Sequence, residues 1–140
     1  MATTIYHQYL EAEVLSAHPL KLVAILYRGA LEALRGARRN LAAGDIRARS
    51  RQVMKTWEIL QELSRMLDHS AGDPLSGSLA ELYAYMQRRL LEANARQIDA
   101  PLAEVQHLLS TLNAAWQGVG QEPAPVAGLQ PRESLSCDSC

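Results

Sequence analysis

The sequence contains no phenylalanine and only two cysteines among its 140 residues. Cys137 and Cys140 lie within the last four positions, so no disulfide framework supports the fold. Runs of alternating β-branched residues are absent as well, and β-strands are therefore not expected. A chain of this length can bury a hydrophobic core without metals or disulfides. These absences favour a single all-α domain.

Long apolar runs and a strong charge of one sign are also missing. The formal net charge is −1 at pH 7, which gives no overall attraction to nucleic acid or to an anionic membrane. The first residues lack a basic region followed by a continuous apolar run, so we expect no secretory signal and no membrane insertion. The expected location is the cytosol.

Proline and glycine divide the chain into four predicted helices. Pro19 suits a first helical position, while Gly44 closes the first helix and Asp45 caps the second. A loop covers residues 69–78, which are rich in turn-forming residues and hold only a first helical turn at their end. The predicted helices cover about residues 19–43, 46–69, 79–97 and 99–117.

Each predicted helix carries an apolar stripe with a spacing of three and four residues, and short loops join the helices. Such helices pack side by side in alternating directions. We predict an antiparallel up-down four-helix bundle over residues 19–117. An N-terminal arm, residues 1–18, precedes it, and residues 118–140 are expected to form a disordered tail because they are rich in glycine and proline.

No catalytic or metal-binding constellation emerges from the sequence. Glu104 and His107 form one Glu-x-x-His pair, but a di-metal bundle site needs two such pairs and two further glutamates. The two terminal thiols supply only half of a zinc site. No glycine-rich phosphate loop is present. We therefore expect neither enzymatic activity, nor a metal, nor a cofactor.

Basic residues concentrate in one segment of the chain. Residues 28–55, from Arg28 to Lys55, carry eight basic and two acidic side chains, or +6, whereas residues 56–140 carry −6. A solvated face of the first helix pair explains this pattern, and a regulatory helical adaptor or a nucleic-acid-binding bundle is the alternative. No aromatic residue is interleaved with these cations, which argues against nucleic acid as a partner.

Several apolar residues fall outside the predicted core stripes. Small residues flanking a leucine and an isoleucine on helix three form a shallow lane that another helix could occupy, and helix two has a wide apolar stripe containing an adaptable methionine. The N-terminal arm is also apolar, and it either covers these positions or is displaced from them by a partner. The candidate partner-binding residues are Ile5, Tyr9, Ile59, Leu63, Met66, Ala84, Leu91, Ala95 and Ile98.

Several stretches of the sequence resemble the flagellar export chaperones of the FliS family. They include "YLEAEVLSAHPLKLVAILYRGALEAL" from residue 9, "LAELYAYMQRRLLEAN" from residue 79 and "LAEVQHLLSTLNAAW" from residue 102, in the order and spacing of that family. The resemblance covers about residues 5–117. Its most specific element is LY-x-YM-x-RRL-x-x-AN, followed by a tryptophan that ends the last helix.

The resemblance implies a cytoplasmic, non-enzymatic helical bundle. It implies that the protein binds the disordered C-terminal region of flagellin in apolar grooves, prevents premature polymerisation and delivers flagellin to the flagellar type III export gate. It also implies an N-terminal arm that occupies part of the groove in the free protein, with Tyr9 at the position of the family's arm tyrosine. Flagellar regulators are further candidate partners, and the sequence does not decide between a monomer and a homodimer.

Overall fold

The computed structural model describes residues 19–67 and 74–121. The predicted arm, residues 68–73 and the chain beyond residue 121 lie outside the described residues. The described chain forms four α-helices, and they are α1 (Pro19–Ala43), α2 (Ile46–Arg65), α3 (Pro74–Arg96) and α4 (Ala100–Gln121).

The four helices pack in a ring around one hydrophobic core. Each helix contacts the next one along the chain, and α4 closes the ring against α1. The diagonal pairs, α1 with α3 and α2 with α4, do not approach within 8 Å between Cα atoms of the described residues. Leu34, Leu60, Leu90 and Leu109 contribute one fully buried side chain from each helix. The predicted four-helix bundle is confirmed.

Two tight turns lie at the same end of the bundle, which we call the turn end. At the first turn Gly44 has φ +78°, and the Asp45 N–H donates to the Asn40 carbonyl at 2.9 Å, which closes α1. The Asp45 side chain then accepts from the Ala48 N–H at 3.1 Å and caps α2. Glycine suits this position because a Cβ disfavours a positive φ.

The second turn, between α3 and α4, has the same geometry without a glycine. Gln97 has φ +58°, and the Ile98 N–H donates to the Ala93 carbonyl at 3.2 Å. A residue with a Cβ pays a conformational penalty of about 1 kcal/mol in this left-handed region. The turn therefore contains a local strain that glycine would relieve.

The helix boundaries differ from the predicted ones at three places. α2 ends at Arg65 instead of near residue 69, and α3 begins at Pro74, inside the predicted loop. Proline at a first helical position loses no hydrogen bond, so the helix starts there despite Gly77. α4 continues to Gln121, four residues past the predicted end at residue 117, since a helical glycine costs only about 1 kcal/mol.

A buried polar cluster joins three helices in the half of the bundle away from the turn end. The hydroxyls of Tyr27 on α1 and Tyr83 on α3 lie 2.7 Å apart, and the Trp116 indole N–H of α4 donates to the Tyr27 hydroxyl at 3.2 Å. Burial raises the pKa of both tyrosines. The cluster is therefore neutral at ordinary pH and satisfies the polar atoms that the aromatic rings carry into the core.

Candidate partner-binding surface

Side-chain hydrogen bonds fix how α2 and α3 lie against each other. The Asn94 Oδ1 of α3 accepts from the Arg49 Nε at 2.9 Å and from the Ser50 hydroxyl at 3.3 Å. Further along, the Gln87 amide donates to the Trp57 carbonyl and to the Gln61 side chain, both at 3.1 Å. This antiparallel register places Leu91, which lies between the two contacts on α3, level with Met54 on α2.

Two of the large apolar side chains that α2 and α3 expose lie level with each other on this helix pair. Leu91 is 45% exposed and Met54 is 41% exposed. Leu91 follows Gln87 by four residues, and Met54 precedes Gln61 by seven, so each shares a helix face with a side chain of the α2–α3 contact. Exposed leucine and methionine in adjoining positions are suited to contact with a partner.

Small residues flank Leu91 on the same face of α3. Ala84 is half-buried and Ala95 is exposed, and both recur with Leu91 at helical spacing. We define the α2–α3 surface as Met54, Trp57, Ala84, Leu91 and Ala95. Ile98 is half-buried in the turn that follows α3, at the margin of this surface.

The apolar residues predicted as partner contacts on helix two lie on a different side. Ile59 and Leu63 are 4% and 2% exposed and belong to the core, and Met66 is partly buried against it. Ile59 follows Gln52 by seven residues, and Gln52 accepts a hydrogen bond from Asn40 of α1 at 2.6 Å. These residues therefore face α1 and do not join the α2–α3 surface. Ile5 and Tyr9 lie outside the described residues.

Met54 and Trp57 are the members of the α2–α3 surface that the sequence patterns missed. Met54 lies within the basic segment, where its neighbours obscure an apolar position, and Trp57 fits the predicted core stripe of helix two. Trp57 is in fact half-buried and packs at the edge of the core. Met54 and Trp57 are three residues apart, a spacing that places both on one face of the helix. This spacing is the sequence signal from which the pair could have been predicted.

A polar network covers the other side of α3. The Glu104 carboxylate of α4 accepts from the Tyr85 hydroxyl at 2.6 Å and from the Arg89 Nε at 2.7 Å. These two hydrogen bonds hold the pKa of Glu104 below its ordinary value. Arg89 also pairs with Glu92 at 2.6 Å, and Arg88 lies over the Tyr85 ring. The α3–α4 side is thus closed by polar contacts, in contrast to the apolar α2–α3 surface.

The described residues contain neither a metal-binding cluster nor a membrane-spanning helix. They contain no group of three or more histidine, cysteine or carboxylate side chains placed to hold a metal ion. Glu104, the acidic member of the single Glu-x-x-His pair, is bound to Tyr85 and Arg89, and His107 is exposed. None of the described helices is long and apolar enough to span a bilayer.

An antiparallel four-helix bundle with exposed apolar side chains along one helix pair offers a surface on which a partner helix can pack. The family model described as Flagellar protein FliS matches residues 2–123. This chain belongs to the FliS family of flagellar secretion chaperones.

Curated relatives agree with the family model. The chain is 39% identical over 121 residues to the Flagellar secretion chaperone FliS of Salmonella typhimurium, covering 86% of this chain and 87% of that protein. It is 36% identical over 110 residues to the Flagellar secretion chaperone FliSB of Pseudomonas aeruginosa, with 79% and 87% covered. It is 32% identical over 112 residues to the FliS chaperone of Bacillus subtilis, with 80% and 83% covered.

Proposed function

We propose that this protein is a cytoplasmic export chaperone that binds the disordered C-terminal region of flagellin. Binding prevents premature polymerisation and delivers flagellin to the flagellar type III export apparatus. Membership of the FliS family of flagellar secretion chaperones supports the class of function. The choice of flagellin as cargo is the proposal.

The observation that carries the proposal is the exposed apolar α2–α3 surface. Leu91 and Met54 project from adjoining helices, while Ala84 and Ala95 leave room for a helix to approach closely. A partner helix binds such a surface through apolar residues spaced three and four apart. A disordered segment that folds on binding loses conformational entropy, and apolar burial along the helix pair offsets that loss.

The predicted partner contacts outside the α2–α3 surface require a structural change or lie outside the described residues. Ile59 and Leu63 are buried in this structure, so they contact a partner only if the side chains above them move aside. Met66 is partly buried beside them. The predicted role of Ile5 and Tyr9 as a cap that leaves the groove when cargo arrives stays a prediction.

Calorimetry against the C-terminal peptide of flagellin from the same organism tests the proposal. We expect saturable binding with a negative heat-capacity change, the mark of apolar burial, and little dependence on salt. Leu91→Gln should weaken binding about fivefold, because covering the exposed part of this leucine contributes about 1 kcal/mol. Glutamine keeps the helix propensity of the position close to that of leucine.

Ile46→Gln is the matched control. Ile46 is 56% exposed at the first position of α2, outside the α2–α3 surface, so its replacement should leave the affinity unchanged. Absence of detectable binding to the unsubstituted protein would overturn the choice of flagellin. Equal effects of the two substitutions would instead reject the α2–α3 surface as the binding site.

A further inference from the structure

Two groups of arginines in the described residues differ in their partners. One group has carboxylate partners within 4 Å, and its members are Arg38, Arg65, Arg89 and Arg96. The other group lies on α1 and α2, is exposed and makes no hydrogen bond or ion pair with the described residues, and its members are Arg35, Arg39, Arg47 and Arg51. We call this second group the arginine surface.

Arg39 on α1 and Arg51 on α2 bring the two halves of the arginine surface together near the turn end. Arg39 immediately precedes Asn40, and Arg51 immediately precedes Gln52; the Asn40 amide donates to the Gln52 side chain at 2.6 Å. Both arginines are exposed, so they lie on the solvent side of the same interhelical contact. The other two members lie four residues before each of these, on the same helix faces.

An open cleft adjoins the α1 side of the arginine surface. It has a volume of about 420 Å³ and lies between the last turns of α1 and the start of α4. Arg38 holds Asp99 through two hydrogen bonds of 2.8 Å and Gln106 through a third of 2.8 Å. Its charge is therefore already neutralised, and Arg35 and Arg39 supply the free positive charge at the rim of the cleft.

A buried cation, Arg49, lies between Arg47 and Arg51 in the chain, and its guanidinium is directed to the α3 side of α2. Arg49 is 3% exposed, and the described residues hold it only through neutral oxygens, the Asn94 side chain and carbonyl and the Gln97 amide. No carboxylate of the described residues lies within ion-pair distance of it. A charge in low-dielectric surroundings acts over a longer range than an exposed one. Arg49 therefore strengthens the positive potential at the turn end.

Like charges gathered at one place repel each other, so an anionic partner stabilises them. A short acidic polypeptide matches this surface better than nucleic acid does. No aromatic side chain occurs between Arg35 and Arg51 to stack on a base. The two arginines on each helix span about one turn, which suits a few carboxylates, and the rest of the chain is acidic enough to repel a long polyanion.

We propose that the arginine surface is a docking site for an acidic polypeptide segment, with Arg35 and Arg39 as its main contacts at the rim of the α1–α4 cleft. Guanidinium groups bind carboxylates through paired hydrogen bonds. Its main contacts, Arg35 and Arg39, lie on α1, which contributes no residue to the α2–α3 surface, whereas Arg51 precedes Met54 by three residues and borders that surface. An acidic segment held by α1 can therefore bind while cargo occupies the α2–α3 surface.

Fluorescence anisotropy with the full-length protein tests this proposal. The probe is a labelled peptide of alternating glutamate and serine, about 12 residues long, which spans the arginine surface when extended. The matched probe carries glutamine in place of glutamate, and a single-stranded thymidine oligonucleotide of equal length represents nucleic acid. Titrations at low salt and at about 150 mM salt measure how far the affinity depends on attraction between charges.

We expect saturable binding of the glutamate peptide that weakens with salt, and none of the glutamine peptide. The double substitution Arg35→Gln/Arg39→Gln should weaken binding about tenfold. The matched control Arg65→Gln/Arg88→Gln removes the same charge elsewhere on the bundle and should change affinity less than about twofold. Circular dichroism of each variant verifies that the bundle is folded.

Three results would overturn the proposal. Lack of saturable binding of the glutamate peptide at low salt would show that the surface is only solvated. Equal losses in the two double variants would show that net charge, and not the arginine surface, governs binding. Equal or tighter binding of the oligonucleotide would assign the surface to nucleic acid.

Discussion

The substitution Tyr27→Phe tests whether the buried polar cluster is a coupled unit. The Tyr27 hydroxyl lies between two partners, the Tyr83 hydroxyl at 2.7 Å and the Trp116 indole nitrogen at 3.2 Å. Tyr27 and Tyr83 are 0% and 2% exposed, whereas Trp116 is only half-buried. Removing the Tyr27 hydroxyl leaves both the Tyr83 hydroxyl and the Trp116 indole N–H without their partner. Water can reach the indole N–H, but it cannot reach the Tyr83 hydroxyl.

This difference in water access sets the expected loss of unfolding free energy for each variant. A buried polar group left without a partner costs about 1–3 kcal/mol, so Tyr27→Phe should lower the free energy of unfolding by about 2–3 kcal/mol. Tyr83→Phe should cost about 1 kcal/mol, because the Tyr27 hydroxyl keeps its hydrogen bond from Trp116. The double variant should cost about 2 kcal/mol, less than the sum of the single effects, since neither hydroxyl then remains unsatisfied.

Urea unfolding followed by circular dichroism supplies the free energies of unfolding for all four proteins. The slope of free energy against urea concentration should be the same in each, since the buried area hardly changes. Additive losses in the double variant would refute the coupling of the two hydroxyls. A Tyr27→Phe effect no larger than that of Tyr83→Phe would refute the central position of Tyr27.

Two further predictions concern the turn between α3 and α4 and the α3–α4 network. Gln97→Gly should raise the free energy of unfolding by about 0.5–1 kcal/mol in urea titrations, because Gln97 has φ +58° and glycine adopts that conformation without strain. The Gln97 side chain accepts only a long hydrogen bond of 3.5 Å from Arg49, so its removal offsets little of this gain; a clear loss of stability would show that this contact matters more. The hydrogen bonds from Tyr85 and Arg89 lower the folded-state pKa of Glu104, so their contribution to stability is present above the ordinary glutamate range and is lost as the pH falls through the lowered pKa. Acid should therefore destabilise the unsubstituted protein more than the Glu104→Gln variant, and parallel stability profiles from pH 7 to about pH 3 would contradict this.

The sequence predicted those parts of the fold that depend on local signals. Pro19 and Gly44 mark the start and end of α1 as predicted, and Asp45 caps α2. Helical spacing also identified the buried face of α3, where Met86 and Leu90 are fully buried. These signals act through neighbouring residues, so a single sequence contains them.

Features that depend on the bundle as a whole could not be predicted in this way. Arg49 belongs to a basic segment expected to be solvated, yet it is buried because Asn94, far away in sequence, accepts its hydrogen bonds. Ile46 continues the apolar spacing of α2 but is 56% exposed, because the first turn of α2 extends beyond the core. Ile59 faces α1 and Met54 adjoins α3. The sequence could not distinguish these two directions, because they depend on how the helices pack in the bundle.

The two halves of the bundle are joined by chemically different contacts. Near the turns, the Arg38–Asp99 pair links α1 to α4 through exposed, charged groups, whose attraction dissolved ions screen. In the other half, Tyr27, Tyr83 and Trp116 are joined by neutral hydrogen bonds on which dissolved ions have little effect. Raised ionic strength should thus weaken the Arg38–Asp99 link near the turns and leave the contacts of the buried polar cluster unchanged.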